Sequence, residues 1–490
     1  MLTYKSELIA RKNNGKVYTP SYIVKNILDL SNYQSGNILK KHIIDNSCGD
    51  GAFLKEIVDR YCCEFLKHSM DIEGLTLELS EFIHGIELNQ EEHQKCINNL
   101  NFVVSKYGIQ NVKWDIKCDD TLLIQDYNGK MDFVVGNPPY VRIHNLEEED
   151  LKKIKKYNFS QNGMTDLFIV FFEIGLKMLN ENGILGYIVP NSLYNSLAAS
   201  VLRQNLIQNK QIQKVVDLRH YQPFNATTYT TILIISKYPN NKEVEFFEYD
   251  SKNKQPIKID NLLHEDFYIN NSFYFSSKEK LLILKKILTY NSTNDVFDVK
   301  NGFATLYDDF FIGRFNFSEY VIPVVKASTG EYLQCLFPYI NSKIVPIDKL
   351  MENQAIREYY EKNIDKLKKR SLEKKENWHG FGRSQGINDV FKPKFSINTL
   401  IKDDKDIKLV FCEPGIGVYS GLYILTNENE KEIKDIIFSS DFILYISMLG
   451  KYKNNGYYTF SSKDLKKFLN FKYFERRKFI NEQLRFFANT

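Results

Sequence analysis

In the 490-residue chain, a rigid polar loop follows an apolar segment of the kind that forms a buried strand. The run MDFVVGN (131–137) leads directly into Asn137, Pro138, Pro139 and Tyr140. Two prolines fix two φ angles and remove two N–H donors, so the loop presents carbonyl acceptors. The Asn137 amide oxygen and the Pro138 carbonyl could accept both hydrogens of one planar –NH2 group, and Tyr140 offers a flat face to a base. The alternative is a proline turn capped by Asn137, with Tyr140 as local packing.

A glycine turn separates a β-branched run from a helical pattern at 43–54 (IIDNSCGDGAFL). Asp45 ends the run, and Gly49 and Gly51 follow it. Glycines at a strand-to-helix turn let the backbone approach a ligand closely, and an acid at the strand end could hold an ammonium or hydroxyl group. The alternative is a tight turn that binds nothing. A nicotinamide dinucleotide site would need G-x-G-x-x-G, and Leu54 stands where the third glycine would be.

Two further acids end the next two predicted strands. Glu87 lies at the end of FIHGIEL (82–88), where a carboxylate can accept both ribose hydroxyls of an adenosine. Asp120 follows the third strand and could accept an adenine amino hydrogen, although Asp119 competes with it for that role. Each acid alone could be a helix N-cap or a solvated loop charge. With Asp45, however, three acids end three successive strands, and ligands lie across such strand ends.

These residues must be positioned by an α/β fold. Short apolar runs alternate with helical patterns, which predicts a doubly wound parallel sheet covered on both faces. The predicted strands are 42–47, 82–88, 112–118, 131–137, 183–190, 213–219 and 228–237, and the predicted helices are 52–66, 90–107, 166–179 and 200–208. Beyond this series the alternation stops, and a charged helix is predicted at 353–376. We expect a first domain at 1–245 and an irregular α+β domain at 246–490.

The order of these segments resembles the gamma group of S-adenosylmethionine-dependent N6-adenine DNA methyltransferases, the TaqI and Eco57I types. The segments GKVYTPSYIVKNI (15–27) and PFNATTYTTILIISK (223–237) add to the resemblance, which is close over 15–237. It implies a Rossmann-like methyltransferase domain, followed by a DNA target-recognition domain that matches more loosely. The implied reaction transfers a methyl group to an adenine flipped out of double-stranded DNA.

The same resemblance implies roles for individual residues. The implied catalytic residues are Asn137, Pro138, Pro139 and Tyr140, with Phe224 on the other face of the base. The implied residues for the S-adenosylmethionine cofactor are Thr19, Asp45, Gly49 and Gly51 at its methionine end, Glu87 at its ribose and Asp120 at its adenine. Asn46, Ser47 and Cys48 receive no role, and no metal site is implied.

The segment WHGFGRSQGI (378–387) offers candidates for DNA contact in the second half. Arginine reads guanine and glutamine reads adenine in the major groove, which makes Arg383 and Gln385 candidates together with Trp378. The alternative is a structural loop with Trp378 as a core anchor.

The charge is unevenly distributed along the chain. Residues 1–240 carry 26 basic and 27 acidic side chains, whereas residues 241–490 carry 39 and 34. Nine Lys or Arg residues lie within 451–479 against Asp464 and Glu475. This run is either a solvated helix face or a basic surface that follows phosphates. The seven cysteines lack C-x-x-C spacing, which argues against zinc or a disulfide framework and favours a reducing cytosol.

Two other function classes compete with this interpretation. The NPPY box suits any planar –NH2 group, so methyltransferases of RNA or of protein glutamine share it, but the long basic second half counts against them. The second competing class is a DNA-binding subunit that does not catalyse, and the intact glycine turn and NPPY box count against it. We expect a cytoplasmic, monomeric enzyme acting on double-stranded DNA, with no membrane segment and no DNA cleavage of its own. The recognition sequence, and whether a separate cognate restriction endonuclease accompanies the protein, stay open.

Overall fold

The computed structural model describes residues 18–142, 148–162, 165–224, 228–239, 242–292, 294–372 and 374–488, with side chains up to Phe479. The chain divides into two compact units, Met1–Ile283 and Leu284–Thr490. The division lies beyond the boundary expected at residue 245, because the last two strands of the first unit's sheet lie within 243–263.

The first unit is built on one nine-stranded sheet. Its strands are β1 (Ile43–Asp45), β2 (Ile83–Glu87), β3 (Asp115–Cys118), β4 (Met131–Gly136), β5 (Leu179–Pro190), β6 (Ile212–Asp217), β7 (Thr230–Ser236), β8 (Glu243–Asp250) and β9 (Gln255–Leu263). A short hairpin of β10 (Tyr268–Ile269) and β11 (Ser272–Phe273) follows. The helices are α1 (Ser21–Leu30), α2 (Ala52–Leu66), α3 (Ile72–Phe82), α4 (Gln90–Ser105), α5 (Glu148–Ile154), α6 (Leu167–Met178), α7 (Ser200–Gln208) and α8 (His264–Phe267). Helix α9 (Lys278–Thr289) spans the point at which the chain divides into the two units.

The strand order is β3-β2-β1-β4-β5-β7-β6-β8-β9. Strands β3 to β5 are parallel, but β7 is antiparallel to both of its neighbours, and β9 is antiparallel to β8. The sheet is therefore mixed rather than purely parallel. Every residue of β7 is buried, as expected of a strand covered on both faces. The predicted Rossmann-like, doubly wound α/β class is confirmed.

The chain reverses direction across the sheet between β1 and β4. It builds outward from β1 through β2 to β3, and then returns to the other side of β1 with β4 and β5. Such a reversal opens a crevice at the carboxyl ends of the two strands, which is where ligands bind in doubly wound sheets. The loops after Asp45 and Gly136 lie at this point.

The second unit is an irregular α+β assembly of small sheets. Its strands are β12 (Asp298–Asn301), β13 (Val321–Lys326), β14 (Glu331–Leu336), β15 (Tyr339–Ile340), β16 (Lys343–Ile344), β17 (Lys394–Ile397), β18 (Leu400–Ile401), β19 (Leu409–Cys412), β20 (Gly417–Tyr419), β21 (Leu422–Leu425), β22 (Tyr452–Lys453) and β23 (Tyr457–Thr459). The helices are α10 (Asp308–Phe311), α11 (Ile347–Leu350), α12 (Gln354–Glu361), α13 (Ile364–Lys368), α14 (Glu430–Ile437), α15 (Ser440–Met448) and α16 (Ser462–Ala488). The sheet orders are β12-β21-β17-β19, β14-β13-β20, β18-β23-β22 and β15-β16.

The single charged helix predicted at 353–376 is wrong. Helix α12 ends at Glu361, and Asn363 has a non-helical φ of −122° before the short α13 begins. The Asn363 side chain accepts a hydrogen bond from the Tyr307 hydroxyl (3.2 Å) and donates one to the Tyr359 carbonyl (2.9 Å). Hydrogen bonds of this kind compensate for the interrupted helix, and no helical periodicity in the sequence reveals them.

None of the helices that the structure describes combines the length and the apolar character that crossing a membrane requires.

Candidate active site

Asn137 lies directly after β4, at the reversal point of the sheet. Its Nδ2 donates to Thr19 Oγ1 at 3.2 Å, and its main-chain carbonyl accepts from Ser47 Oγ at 3.4 Å. Its Oδ1 is buried and has no hydrogen-bond partner among the residues that the structure describes. Leaving a buried acceptor unpaired costs about 1–3 kcal/mol. A ligand with an N–H donor at this position would recover that free energy.

The rest of the NPPY loop is anchored to the sheet. Pro138 is buried, and Tyr140 is half-buried. The Tyr140 hydroxyl donates to the Ile188 carbonyl at 3.2 Å, and its ring lies edge-to-face against Phe168 with 6.4 Å between ring centroids. Burial raises the pKa of the Tyr140 hydroxyl well above its usual value. Tyr140 therefore remains a neutral, fixed aromatic ring beside Asn137.

Asp45, at the end of β1, is 2% exposed. Burial is the main reason that the pKa of its carboxyl is raised to about 8; the nearby Glu87 and Asp50 add to the effect, and a hydrogen bond from the Ser47 backbone opposes it. Asp45 has no ion-pair partner in the described part of the chain. A buried carboxyl with a raised pKa and no cation of its own is suited to a positively charged ligand.

Close packing joins the loops after β1 and β4. A side chain at Gly136 would place its Cβ 2.7 Å from Asp45 Oδ1, so glycine is needed there. The carboxyl of Asp45 consequently lies against the backbone that leads into Asn137.

The glycine turn is tied to Glu87 on the neighbouring strand. Gly49, at φ +55°, donates its N–H to Glu87 Oε2 at 2.9 Å, and the Asn89 N–H donates to Oε1 at 2.7 Å. Gly51 begins α2 at φ +84°, and a side chain there would meet Cys96 Sγ at 2.8 Å. Each Glu87 oxygen keeps a second lone pair for a hydroxyl donor. The structure thus brings Asp45, the glycine turn and Glu87 together.

The two acids after β3 have different surroundings. Asp120 accepts from Lys153 Nζ at 2.9 Å and from the Leu122 N–H at 3.0 Å. Asp119 is exposed and accepts from the Asp120 N–H at 2.7 Å. No local pattern indicated that Lys153 pairs with Asp120, because Lys153 lies 33 positions away on α5. The prediction that Asp120, rather than Asp119, binds the cofactor adenine remains a prediction.

Phe224 is 6% exposed and belongs to the hydrophobic core of the first unit. Its ring is covered by that core rather than open to a base. The three residues that follow it in the PFNATTYT segment, 225–227, lie outside the described residues. The stacking role implied for Phe224 remains a prediction.

A buried polar network supports the loop after β1, and the sequence assigned no role to its residues. Asn46 is fully buried. Its Oδ1 accepts from the Tyr187 hydroxyl at 2.9 Å, and its carbonyl accepts from Thr121 Oγ1 at 2.7 Å. The position of Asn46 and Ser47 at a strand end was a local signal that could have identified them. Tyr187 and Thr121 carry no such signal, because they reach the loop only through the fold.

The Gly-punctuated segment of the second unit is fastened by Arg370. This guanidinium donates to the carbonyls of Thr305, Trp378 (2.6 Å) and Gly380 (2.9 Å). Trp378 is half-buried against the hydrophobic core of that unit, with Lys368 Nζ 5.2 Å from its ring centroid. Trp378 therefore serves at least as an anchor for the segment.

Arg383 and Gln385 project from the same segment. Arg383 is exposed, and its guanidinium makes no hydrogen bond or ion pair with any described residue, although its backbone pairs with Ala304. Gln385 is also exposed, and its Nε2 donates to the Gly302 carbonyl at 3.3 Å. Of the three DNA-contact candidates, Arg383 has the most freely available side chain.

Most cations of the basic C-terminal run are already paired within the second unit. The pairs are Lys451 with Asp464, Lys466 with Asp295 and Asp298, Lys472 with Asp441 and Glu475, Arg476 with Glu432 and Asp435, and Arg477 with Glu428. This arrangement corresponds to a packed, partly solvated helix rather than to a free phosphate-binding stripe.

The described residues contain no group of three or more His, Cys, Asp or Glu side chains that could hold a metal ion.

Residues 61–224 match the sequence profile of the Eco57I restriction-modification methylase family. The type II methyltransferase M.BstVI of Geobacillus stearothermophilus is 33% identical over 243 residues, which cover 47% of this chain and 43% of that protein. The type II restriction enzyme and methyltransferase RM.Eco57I of Escherichia coli is 24% identical over 415 residues, covering 71% of this chain and 39% of that protein. The chain thus spans about two fifths of the length of these relatives.

Two solved structures share the fold. The type IIL restriction-modification enzyme MmeI in complex with DNA has a TM-score of 0.62 at 14% identity, covering 90% of this chain and 63% of that one. A nuclease-deletion mutant of the type ISP restriction-modification enzyme LlaGI, with a DNA substrate mimic, has a TM-score of 0.55 at 12% identity, covering 92% and 54%. The resemblance seen in the sequence is confirmed: residues 61–224 match the Eco57I restriction-modification methylase domain, and type II methyltransferases are among the relatives of the chain.

Proposed function

We propose that this protein is a site-specific DNA methyltransferase that transfers the methyl group of S-adenosylmethionine to the N6 amino group of an adenine in double-stranded DNA. The main support is the Asn137 amide oxygen, a buried acceptor without a partner among the described residues. It lies at the carboxyl end of β4, where the chain reverses across the sheet. The similarity to type II methyltransferases adds support.

The residues around the glycine turn fit S-adenosylmethionine, which supplies a methyl group activated on a sulfonium centre. Asp45 would pair with the ammonium group of the methionine end, because its buried carboxyl lacks a cation among the described residues. Glu87 would accept from the ribose hydroxyls while the Gly49 and Asn89 N–H groups hold it in place. Thr19, Gly51 and Asp120 complete the proposed site.

The chemistry depends on positioning the target nitrogen. Its lone pair is delocalised into the ring, which makes it a poor nucleophile. Asn137 Oδ1 and the Pro138 carbonyl would each accept one of its two N–H bonds, and would push the nitrogen toward sp3 geometry. Its lone pair would then point at the methyl group for an in-line displacement, in which alignment is the main contribution. The proton can leave after transfer, so no dedicated base from this chain is required.

A base inside a duplex cannot reach this loop, so the target must be flipped out. Tyr140 would stack on one face of the flipped base, and Phe224 would reach the other face only if its ring left the core in which it is buried. Base–aromatic stacking is worth about 1–3 kcal/mol per base, which offsets part of the unstacking cost. The fixed edge-to-face contact of Tyr140 with Phe168 supports this role for Tyr140.

In this proposal the two halves of the chain divide the work. Residues 1–245 carry the methyl transfer, and residues 246–490 recognise the DNA target. The exposed and unpaired Arg383 is the leading candidate for base contact, with Gln385 and Trp378 in the same segment.

Product analysis tests the proposal directly. The full-length protein is incubated with methyl-labelled S-adenosylmethionine and, separately, with plasmid DNA, RNA or a protein extract, and each product is digested and resolved by mass spectrometry. We expect labelled N6-methyladenine in DNA, confined to one sequence context. Label only in RNA or in glutamine residues would establish one of the competing methyltransferase classes. N4-methylcytosine would contradict the choice of base. Cofactor binding without transfer to any substrate would establish the non-catalytic subunit.

A further inference from the structure

We propose that Leu306 is a specificity-determining residue, whose side chain contacts the 5-methyl group of a thymine in the DNA target. The inference rests on the proposed function and deepens it, because it adds an apolar base contact to the polar ones proposed for Arg383 and Gln385. It depends on the backbone conformation of Leu306, on its exposed side chain, and on its contact with the segment that carries Arg383.

Leu306 has a backbone conformation that leucine rarely adopts. Its φ is +57°, in the left-handed region where Cβ comes too close to the following carbonyl oxygen. Of the non-glycine residues with positive φ that the structure describes, it is the only one with a purely aliphatic side chain. Glycine or asparagine would occupy this position at a lower cost in free energy. A leucine here therefore reduces stability, and its presence calls for an explanation.

Burial in the core does not supply that explanation. Leu306 is 44% exposed, and it belongs neither to the hydrophobic core of the second unit nor to the side chains packed against that core. Its side chain lies on Gly382, where an added Cβ would come within 2.3 Å of Leu306 Cδ1. The leucine thus covers the backbone of the candidate DNA-contact segment and leaves much of its own apolar surface open to solvent.

The residues on both sides of Leu306 hold it in this conformation. The Thr305 hydroxyl accepts from the Tyr307 N–H at 3.1 Å and donates to the Asp308 carboxylate. The Thr305 carbonyl accepts from the Gly382 N–H at 3.1 Å. Strained backbone persists where the surrounding contacts over-determine it, and such strain is concentrated at binding and active sites.

Leu306 lies close to the backbone of Arg383. The N–H groups of Ala304 and Arg383 each donate to the other residue's carbonyl, at 3.2 and 2.9 Å. Leu306 follows Ala304 by two positions and contacts Gly382, the residue before Arg383. The Arg383 side chain is exposed and has no partner among the described residues, and a free cation of this kind attracts the phosphates of DNA. DNA that contacts Arg383 would therefore also come close to Leu306.

The major groove of DNA offers Leu306 an apolar partner. Arginine reads guanine there through O6 and N7, whereas the apolar group that this groove exposes is the C5-methyl group of thymine. Burial of one methyl group corresponds to about a 4-fold change in Kd. An aliphatic wedge between two bases is the alternative, but wedges of this kind enter from the minor groove. A residue beside a guanine-reading arginine would face the major groove instead.

Replacement of thymine by uracil tests this contact, because uracil lacks only the 5-methyl group. The duplex carries the sequence context that product analysis identifies, and each of its thymines is replaced in turn. Fluorescence anisotropy measures the Kd of the wild type, Leu306→Gly and Leu306→Ala, with S-adenosylhomocysteine in place of the cofactor so that no transfer occurs. We expect uracil at one position to raise the Kd of the wild type about 4-fold, and to change the Kd of both variants by less than about 1.5-fold.

Thermal unfolding tests the backbone conformation separately. Leu306→Gly should have a higher Tm than Leu306→Ala, because glycine adopts a positive φ without strain. Leu400 is the matched control, since it is 48% exposed and lies in strand β18 of the same unit. There Leu400→Gly should have a lower Tm than Leu400→Ala, because glycine weakens a strand. Neither Leu400 variant should change the DNA affinity or the effect of uracil.

The outcomes separate this proposal from its alternatives. A wild type that tolerates uracil at every position would overturn it, and so would a uracil effect of equal size in Leu306→Gly. A loss of affinity in Leu306→Gly that is the same on every duplex would assign Leu306 to a wedge or a backbone contact, and would also overturn it. If Leu306→Ala does not fold, Leu306→Gly still decides. Failure of the proposed function is distinguishable, because the wild type would then methylate no DNA in the product analysis.

Discussion

Polar side chains differ in whether they have partners at two places: the carboxyl edge of the first unit's sheet and the C-terminal helix of the second unit. At the sheet edge, Asn137 Oδ1 has no partner and the Asp45 carboxyl has no cation among the described residues. On α16, Lys466, Lys472 and Arg476 each meet two carboxylates. The sheet edge thus contains a few polar groups without a partner, whereas the helix contains many charged groups that form ion pairs.

The difference shows which polar groups indicate a function. A buried polar atom without a partner reduces stability, so its presence calls for an explanation, and a ligand that completes it is one such explanation. A partly exposed ion pair contributes little in either direction, with a median of about 0–1 kcal/mol. The density of charge in a sequence is therefore a weaker guide to a binding site than a single unsatisfied amide oxygen in the structure.

Removing the unpaired amide should have the largest effect. We expect Asn137→Ala to lower kcat by about 100-fold or more, the scale seen when one preorganised polar group at a reacting centre is lost. The Kd for S-adenosylmethionine should change little. Labelled methyl transfer and isothermal calorimetry measure the two quantities.

Asn180→Ala is the matched control for that experiment. Asn180 donates to Asp132 Oδ1 (3.1 Å) and accepts from the Asn182 N–H (3.1 Å), so its amide is fully partnered. Its loss should reduce stability but leave kcat unchanged. Equal losses of kcat in both variants would show that the unpaired Asn137 amide has no special role in the reaction.

The raised pKa of Asp45 predicts a pH dependence with a definite sign. The folded protein keeps a proton on Asp45 up to a pKa of about 8, whereas the unfolded chain releases it near the ordinary value of 3.8. The resulting stabilisation is complete below that ordinary value and is lost as the pH rises through about 8. Relative to Asp45→Asn, the wild type should lose up to about 1.4 kcal/mol of unfolding free energy per pH unit between pH 6 and pH 8.

Urea unfolding at the two pH values measures this difference. Glu64→Gln provides the contrast, because the hydrogen bond from Lys67 lowers the pKa of Glu64 to about 2, below the tested range. That variant should run parallel to the wild type from pH 6 to pH 8. A parallel course for Asp45→Asn would mean that Asp45 is ionised in the free protein.

An intermediate effect is expected at the exposed Arg383. We expect Arg383→Ala to weaken binding of the cognate DNA by about 1–3 kcal/mol and to relax sequence preference at one position, as for a base-reading arginine. Fluorescence anisotropy with a set of single-base variants of the site measures both effects. Uniform weakening on every sequence would instead assign Arg383 to phosphate contact.

The smallest effect is expected on the C-terminal helix. Arg476→Ala removes partly exposed ion pairs with Glu432 and Asp435, and should lower the unfolding free energy by at most about 1 kcal/mol. DNA affinity and its salt dependence should stay unchanged. A reduced salt slope would show that α16 contacts phosphates and would remove the contrast between the two regions.

Local patterns predicted most of the first unit. Helices 52–66 and 200–208 begin and end where expected, and the seven predicted strands occur with shifts of a few residues. The strands β8 and β9 were missed, because their mixed polar pattern does not show that they extend the sheet. The predicted helix at 353–376 failed because Asn363 forms hydrogen bonds with the distant Tyr307 and with the nearby Tyr359, and these bonds compensate for the break.

The kinds of functional group in the candidate site could be predicted from the sequence: an amide and two prolines after a buried strand, acids at three strand ends, and glycines at a turn. These follow from local order along the chain. Which polar atoms remain unpaired depends instead on how distant segments pack together. Thr19 reaches Asn137 across 118 positions, and Lys153 reaches Asp120 across 33. Partners so distant along the chain leave no local pattern, because packing rather than spacing brings them together.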